Sequence, residues 1–171
     1  TIPRGWHRTW PNLLSAEAVL GTECYFFEPS YHEKVSEFNT LLPFIRKVSG
    51  PMDNTPVALT VRKYPRKITA VQELAASITS TSGIIHYAES PEVFKTFPDE
   101  VKRILKQSPA AWDETRCLIG EPGKIIVFAR RKGDNWFIAG INGTKAPMPV
   151  SLDFNQLGNF KQCVQITEGK D

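Results

Sequence analysis

Apolar residues recur at three- and four-residue intervals between Ile68 and Ile78, and this is the clearest periodic pattern in the chain. The spacing places them on one face, so an amphipathic helix is predicted there. A second apolar stripe, from Phe38 to Val48, predicts another helix, which Pro43 interrupts. The stripe of the first helix consists of Ile68, Val71, Leu74, Ala75 and Ile78.

The segments around these helices have weaker patterns. Ser90-Pro91-Glu92 has the form of a helix N-cap with proline in the first turn, and a further helix is predicted from Pro98 to just before Pro109. Residues 84–88 predict a strand, and residues 12–20 fit either a strand or a short helix. Residues 49–56, which contain two prolines and a glycine, predict a loop.

Beyond Trp112 the pattern changes to short apolar runs separated by turn signals. Strands are predicted at residues 115–119, 124–131 and 136–141, with a hairpin signal at residues 132–135. Two later runs, at residues 150–154 and 160–167, bring the prediction to about five antiparallel strands. Roughly sixty residues bury too little surface to be stable alone, so this part is expected to pack on the preceding α/β part or to continue further.

The composition excludes several classes of protein. The 171 residues are 41% hydrophobic and 23% charged, which is typical of a globular chain rather than a disordered one. The net charge of +3 is too small to indicate nucleic-acid binding. No apolar run approaches the ~20 residues of a membrane span, and the first residues lack the apolar region of a signal peptide. The three cysteines are widely spaced and predict no zinc site.

Two glutamates, Glu17 and Glu23, are the main candidates for chemistry. On an ideal helix a six-residue step turns ~240°, and on a strand the two would lie roughly 20 Å apart. They converge only if the chain turns between them, which Gly21 permits. Paired carboxylates of this kind hold a hard cation such as calcium or act as acid and base, and two solvated surface glutamates are the alternative.

The three histidines are weaker candidates for a functional site than the two glutamates. His7 lies among Trp6, Arg8 and Trp10, an aromatic and basic group of the sort that stacks on sugars or nucleobases, although a satisfied structural histidine has the same appearance. His32 and His86 have no partner at metal-ligand spacing, and the chain has no nucleotide-binding glycine motif.

Several stretches resemble the C-terminal region of glycoside hydrolase family 97, whose members cleave α-glycosidic bonds. Their order and spacing are kept over about residues 5 to 140, although Asn54 stands where the family has an aromatic residue. The matching stretches are Gly5-x-x-Arg8-Thr9-x-Pro11-Asn12, Glu17-Ala18-Val19-x-Gly21-x-Glu23, Leu42-Pro43-Phe44-x-Arg46, Gly50-Pro51-Met52-Asp53-x-Thr55-Pro56, Trp112-Asp113-Glu114-Thr115-Arg116 and Ala129-Arg130-Arg131-Lys132-Gly133-Asp134-x-Trp136.

This resemblance implies a fold of α/β plus all-β class. Residues 1–110 are expected to be the C-terminal part of a (β/α)₈ TIM barrel. Residues 111–171 are expected to form all or part of an antiparallel, β-sandwich-like domain. In such barrels the catalytic groups lie on loops at the carboxyl ends of the strands.

The resemblance also implies the roles of the two glutamates. Glu23 corresponds to the catalytic acid, and Glu17 to a ligand of calcium, which Glu23 is expected to bind as well. The second catalytic carboxylate is expected upstream of Thr1, so retaining and inverting mechanisms both stay open.

The implied protein is a calcium-dependent α-glucosidase or α-galactosidase that acts on oligosaccharides. Its partners would be that substrate, the N-terminal part of the same protein and, by exposure of a partial barrel, a second copy of the chain. The chain alone is expected to be inactive, and a periplasmic or secreted location is expected for the parent. The competing hypothesis is a non-catalytic carbohydrate-binding or structural module.

Overall fold

The computed structural model describes residues 5–60, 63–80 and 82–169. Helices occupy the first two thirds of the chain, and the strands follow. No helix among the described residues is both long and apolar enough to cross a membrane. Short 3₁₀ turns lie at Thr22–Phe26, Lys47–Ser49 and Phe154–Leu157. The helices are α1 (Trp6–Thr9), α2 (Tyr31–Ile45), α3 (Ala70–Thr79), α4 (Pro91–Thr96) and α5 (Asp99–Gln107), and the strands are β1 (Glu114–Glu121), β2 (Ile125–Lys132) and β3 (Asn135–Asn142).

Three of the helices begin where the sequence predicts them. α3 follows Thr69, whose hydroxyl accepts a hydrogen bond of 3.1 Å from the amide of Gln72. α4 follows Ser90, whose hydroxyl accepts from the Val93 amide at 3.3 Å. Because each hydroxyl satisfies an amide that the helix leaves without a partner, these residues fix the helix starts. α5 ends at Gln107, before Pro109, as predicted.

Helix α2 is longer than the sequence indicated. It begins at Tyr31 and runs through Pro43, and its buried face includes Tyr31 and Val35, which precede the predicted stripe. Ile45 and Val48, assigned to that stripe, are 55% and 67% exposed. The helix therefore packs as far as Leu42, whereas Ile45 at its end and Val48 beyond it face outward.

The three predicted strands form one antiparallel sheet in the order β1–β2–β3. Lys132 pairs with Asn135 across a tight hairpin, where Gly133 has a φ of +55° that favours glycine. The β1–β2 register shifts between Cys117 and Ile119. The central strand β2 is buried from residue 125 to residue 130, as expected of a strand with neighbours on both sides.

The prediction of two further strands was wrong, and with it the β-sandwich-like arrangement: the described residues form a single three-stranded sheet. Residues 150–154 form no strand, and residues 160–167 have no regular structure. Val150, Phe160 and Val164 point into solvent rather than onto a core. An alternating sequence becomes a strand only when its backbone finds a partner, and these segments have none in the described part of the chain.

Residues 12–20 and 84–88 are not regular elements either. Ala16 makes an isolated parallel bridge to Met52, and the Thr22 amide donates to the carbonyl of Thr55 at 3.2 Å. The Ala88 amide donates to the carbonyl of Pro56 at 2.9 Å. The segments around Ala16, Met52 and Ala88 thus lie side by side in the order in which they occur in the sequence. Helix α2 connects the first segment to the second, and α3 connects the second to the third.

Helix α3 packs directly on the sheet. Ala75, Ala76 and Ile78 contact a buried cluster that includes Ile126 and Ile141. The buried guanidinium of Arg130, on β2, donates to the carbonyls of Ile78 and Ser80, each at 2.7 Å, at the end of this helix. Those carbonyls lack helical partners, and a cation there is favourable. The sheet is therefore joined to the helical part by a shared core and by a buried charge.

Candidate active site

The Glu23 carboxylate is held by groups from two segments of the chain. Glu23 lies in the 3₁₀ turn Thr22–Phe26, and its Oε1 accepts from the Gly21 amide at 3.3 Å. Its Oε2 accepts from the hydroxyl of Thr55. The carboxylate is half-buried, with one oxygen fixed from its own turn and the other from residues 51–58.

Gly21 is close to this carboxylate. A Cβ atom built on Gly21 would overlap the Glu23 carboxylate and the Thr55 hydroxyl, and it would lie 3.0 Å from Glu23 Cδ. The backbone of Gly21 is extended, with a φ of −92°, so a larger residue would be excluded here by space and not by conformation.

Three carboxylates influence one another at this place. Burial raises the pKa of Glu23, and the negative charges of Glu17 and Asp53 raise it further, while the amides of Glu23 and Gly21 act in the opposite direction. Asp53 pairs with His86, whose Nδ1 lies 3.3 Å from Asp53 Oδ1. A carboxyl group with a raised pKa holds a proton at higher pH, as a general acid requires.

The segment that carries Glu17 is fixed by Arg46. This buried guanidinium donates through Nε to the carbonyl of Glu17 at 3.1 Å, through Nη1 to Gly50 at 3.1 Å and through Nη2 to Pro51 at 3.2 Å, and it also reaches Ala16. Glu17 is exposed, and among the described residues its carboxylate has no hydrogen-bond or ion-pair partner. Between the two glutamates the positive φ, +64°, is at Ala18, and Gly21, which was predicted to permit the turn, is extended.

The two glutamates offer only part of a cation site. Within residues 5–60, 63–80 and 82–169, no group of three histidine, cysteine, aspartate or glutamate side chains is placed to hold a metal ion. The carboxylates of Glu17 and Glu23 are hard oxygen donors of the type that Ca²⁺ prefers, and Ca²⁺ takes ~6–8 such ligands. The donor chemistry fits calcium, and further ligands would have to come from elsewhere.

The other predicted residues lie nearby or inside the core. Trp6 and His7 line a shallow cleft with Ala16 and Gly50, next to the Glu17 segment. His32 is buried, with ring centroids 4.7 Å from Tyr25 and 5.6 Å from Tyr64. His7 therefore borders the candidate site, whereas His32 is a core residue.

Sequence reasoning missed four residues at this site. Thr55, Asp53 and Arg46 lie inside stretches that carry the family resemblance, but nothing in their spacing connects them to Glu17 or Glu23. His86 gave no signal, because its partner Asp53 lies on a distant loop. Asn54, also in this loop, is buried and donates to the hydroxyl of Ser80 at 3.0 Å.

Comparison with known proteins identifies relatives of this chain. The family described as "Glycosyl-hydrolase 97 C-terminal, oligomerisation" matches residues 111–171. A probable retaining α-galactosidase from Streptomyces bingchenggensis is 40% identical over 140 residues, which cover 82% of this chain and 21% of that protein. A retaining α-galactosidase from Bacteroides thetaiotaomicron is 32% identical over 167 residues, or 92% of this chain and 25% of that protein.

Solved structures give the same result. A β-arabinopyranosidase superposes with a TM-score of 0.80 at 35% identity, over 86% of this chain and 25% of that one. A glycoside hydrolase family 97 enzyme from Pseudoalteromonas sp. strain K8, in complex with acarbose, superposes with a TM-score of 0.65 at 26% identity, over 81% of this chain and 22% of that one. This chain spans about a quarter or less of each relative.

These matches define a portion of a glycoside hydrolase. More particularly, residues 111–171 match the C-terminal domain of glycoside hydrolase family 97, and the chain corresponds to the C-terminal portion of that family's proteins.

Proposed function

We propose that this chain supplies the general acid, Glu23, of a retaining α-galactosidase whose remaining catalytic residues lie in the N-terminal part of the same protein. The observation that carries the proposal is the half-buried Glu23 carboxylate, fixed by Gly21 and Thr55 and with a raised pKa. A fixed carboxyl group with a raised pKa is suited to protonating a departing glycosidic oxygen.

The proposal includes residues 1–110 as the last part of a (β/α)₈ barrel and residues 111–171 as the C-terminal β domain. It is supported by the sequential segments around Ala16, Met52 and Ala88, of which the first two form a parallel bridge. It is supported also by apolar side chains that the described residues leave uncovered, including Leu14 at 49% and Phe27 at 65% exposure. A large apolar surface of this kind is normally covered, here by the rest of the barrel.

An α-galactoside is the substrate class favoured by the relatives. Two of them are named retaining α-galactosidases, and a third is a β-arabinopyranosidase. A β-L-arabinopyranoside has the ring configuration of an α-D-galactopyranoside without its hydroxymethyl group, so both sugars are consistent with one pocket. An α-glucoside differs from the galactoside in configuration at one hydroxyl.

We further propose that Glu17 and Glu23 contribute ligands to a bound Ca²⁺. Two observations support this assignment: the carboxylate of Glu17 is exposed and pairs with no described residue, and its negative charge acts on Glu23. Calcium bound there supplies positive charge and coordination positions for sugar hydroxyls. In the chemical step itself, Glu23 gives its proton to the glycosidic oxygen while Thr55 and Gly21 keep the carboxyl group in place.

Variants of the full-length protein test both roles. Glu23→Gln should lower kcat/KM by about 10²–10⁴-fold for methyl α-galactoside, which needs protonation, and far less for dinitrophenyl α-galactoside, which does not. Glu17→Gln should instead raise the Ca²⁺ concentration needed for half-maximal rate, and added Ca²⁺ should restore activity by mass action.

Each role can fail separately. Near-normal hydrolysis of the methyl glycoside by Glu23→Gln would contradict the acid assignment. Full activity of the wild-type protein in a chelator, with no effect of Ca²⁺ on Glu17→Gln, would contradict the metal role and leave the acid role intact.

A carbohydrate-stacking surface is a second candidate function. Trp6 and Trp10 are 49% and 59% exposed and line a depression with Asn12 and Leu13. Flat, exposed aromatic rings suit the apolar faces of sugars. Loss of oligosaccharide binding in Trp10→Ala, with kcat unchanged, would support this role.

A further inference from the structure

One buried carboxylate, that of Glu73 on α3, is hydrogen-bonded to both segments that hold Glu23. Its Oε1 accepts from the hydroxyl of Tyr25 at 3.1 Å. Its Oε2 accepts from the amides of Val57 and Ala58 at 3.0 and 3.2 Å. Tyr25 and Glu73 are both completely buried, so these bonds are shielded from water.

The two sets of partners are adjacent to the candidate acid. Tyr25 is two residues beyond Glu23 in the same 3₁₀ turn. Val57 is two residues beyond Thr55, whose hydroxyl binds Glu23. Glu73 therefore ties the turn that carries Glu23 to the segment that contacts it.

The hydrogen bonds of Glu73 hold the backbone of Val57 in an unfavourable conformation. Val57 is a β-branched residue with a φ of +74°, in the left-handed region that such residues avoid. Its amide and that of Ala58 converge on a single carboxylate oxygen, an arrangement that suits an anion. Strained backbone of this kind persists where its surroundings fix it, and it clusters at functional sites.

We propose that Glu73 is a positioning residue for Glu23, holding the acid in register with Thr55 through Tyr25 on one side and through Val57 and Ala58 on the other. This rests on the proposed function of Glu23. Glu73 touches neither substrate nor reacting atoms. Its removal should therefore act on the step that needs the proton, through a small displacement of the acid.

The leaving-group dependence of the full-length enzyme tests this. Glu73→Gln should lower kcat/KM for methyl α-galactoside about tenfold to a hundredfold, while kcat/KM for dinitrophenyl α-galactoside changes less than about threefold. Glu73→Leu, which removes all three bonds, should show a larger difference. Tyr25→Phe, which removes one bond and keeps the ring, should show a smaller difference and serves if the Glu73 variants do not fold.

The matched control is Leu105→Ala, a buried residue of α5 in the same core as Val57. It should lower the melting temperature without changing the ratio of the two kcat/KM values. Equal losses on both substrates in folded Glu73→Gln, or in Tyr25→Phe where the Glu73 variants do not fold, would overturn the inference and indicate a purely structural role. If Glu23→Gln itself leaves the ratio unchanged, the proposed function has failed and the inference falls with it.

Discussion

Replacing Gly21 by alanine is a selective way to disturb the candidate acid. The backbone there is extended, with φ of −92° and ψ of −178°, which alanine adopts without strain. The added methyl group would meet the Glu23 carboxylate and the Thr55 hydroxyl and would lie 3.0 Å from Glu23 Cδ. The change is confined to the two groups whose contact matters.

The size of the effect follows from this geometry. An ordinary contact between a methyl carbon and another heavy atom is 3.4 Å or longer. The nearer carboxylate oxygen must therefore move by roughly 1 Å, a misplacement that can reduce a catalysed rate about 10²-fold. The free energy of unfolding should fall by about 1–3 kcal/mol, the usual cost of crowding atoms into a packed site, although alanine also restricts the unfolded chain and offsets part of it.

The assay compares kcat/KM for methyl and dinitrophenyl α-galactosides in the full-length protein. Gly21→Ala should lose about 10²-fold on the first and much less on the second, because only the first needs the proton of Glu23. Thermal unfolding of the same samples measures whether the fold is intact.

Two glycines provide controls. Gly169→Ala adds a methyl group in open space, and Gly140→Ala adds one against Val127 at 3.3 Å in the sheet. Neither should change the ratio of the two kcat/KM values. Wild-type hydrolysis of the methyl glycoside by Gly21→Ala would refute the idea that the position of Glu23 is set by its contacts with Gly21 and Thr55.

Two further predictions concern stability. Burial raises the pKa of Glu73 to about 7, so the folded state keeps a proton that the unfolded state loses above about pH 4.5. The free energy of unfolding should therefore fall by about 3 kcal/mol as the pH rises from about 4.5 to about 7. Glu73→Gln should flatten that slope in urea unfolding at about pH 5 and about pH 8, and an unchanged slope would assign it to another group. Arg46→Lys should lower the free energy of unfolding by about 2–4 kcal/mol, because one ammonium group cannot reach the carbonyls that the guanidinium binds. Chemical denaturation with an unchanged midpoint would contradict this.

The periodic elements could be predicted from the sequence because their signals are local. The stripe ending at Ile78 and the cap at Ser90 gave α3 and α4, and the hairpin signal at residues 132–135 gave β2 and β3. The irregular segments could not, since the conformation of residues 12–20 is set by Arg46 and Met52 from elsewhere in the chain. The alternation at residues 150–154 predicted a strand for which the described chain offers no partner.

Some residues of the candidate site could be predicted from the sequence and others could not. The motif resemblance singled out Glu17 and Glu23, but the sequence did not show that the positive φ between them would be at Ala18 and not at Gly21. Glu73 lies in the helix of the predicted apolar stripe but is not one of its residues, and no pattern singled it out. That its carboxylate would meet Tyr25 and Val57 depends on packing between distant segments, which no local pattern encodes.

The contact of Arg130 with the end of α3 bears on how such proteins evolve. Arg130 binds the carbonyl of Ser80, and the hydroxyl of Ser80 accepts from Asn54, the neighbour of Asp53 and Thr55. A protein that exchanged its terminal sheet for an unrelated one by recombination would lose Arg130. The contacts that run from Arg130 through Ser80 to Asn54 would then be broken, and the loop beside Glu23 would be disturbed. The sheet is therefore expected to be inherited together with the helices before it, as one unit of descent, and not to be shuffled among enzymes as detachable modules are.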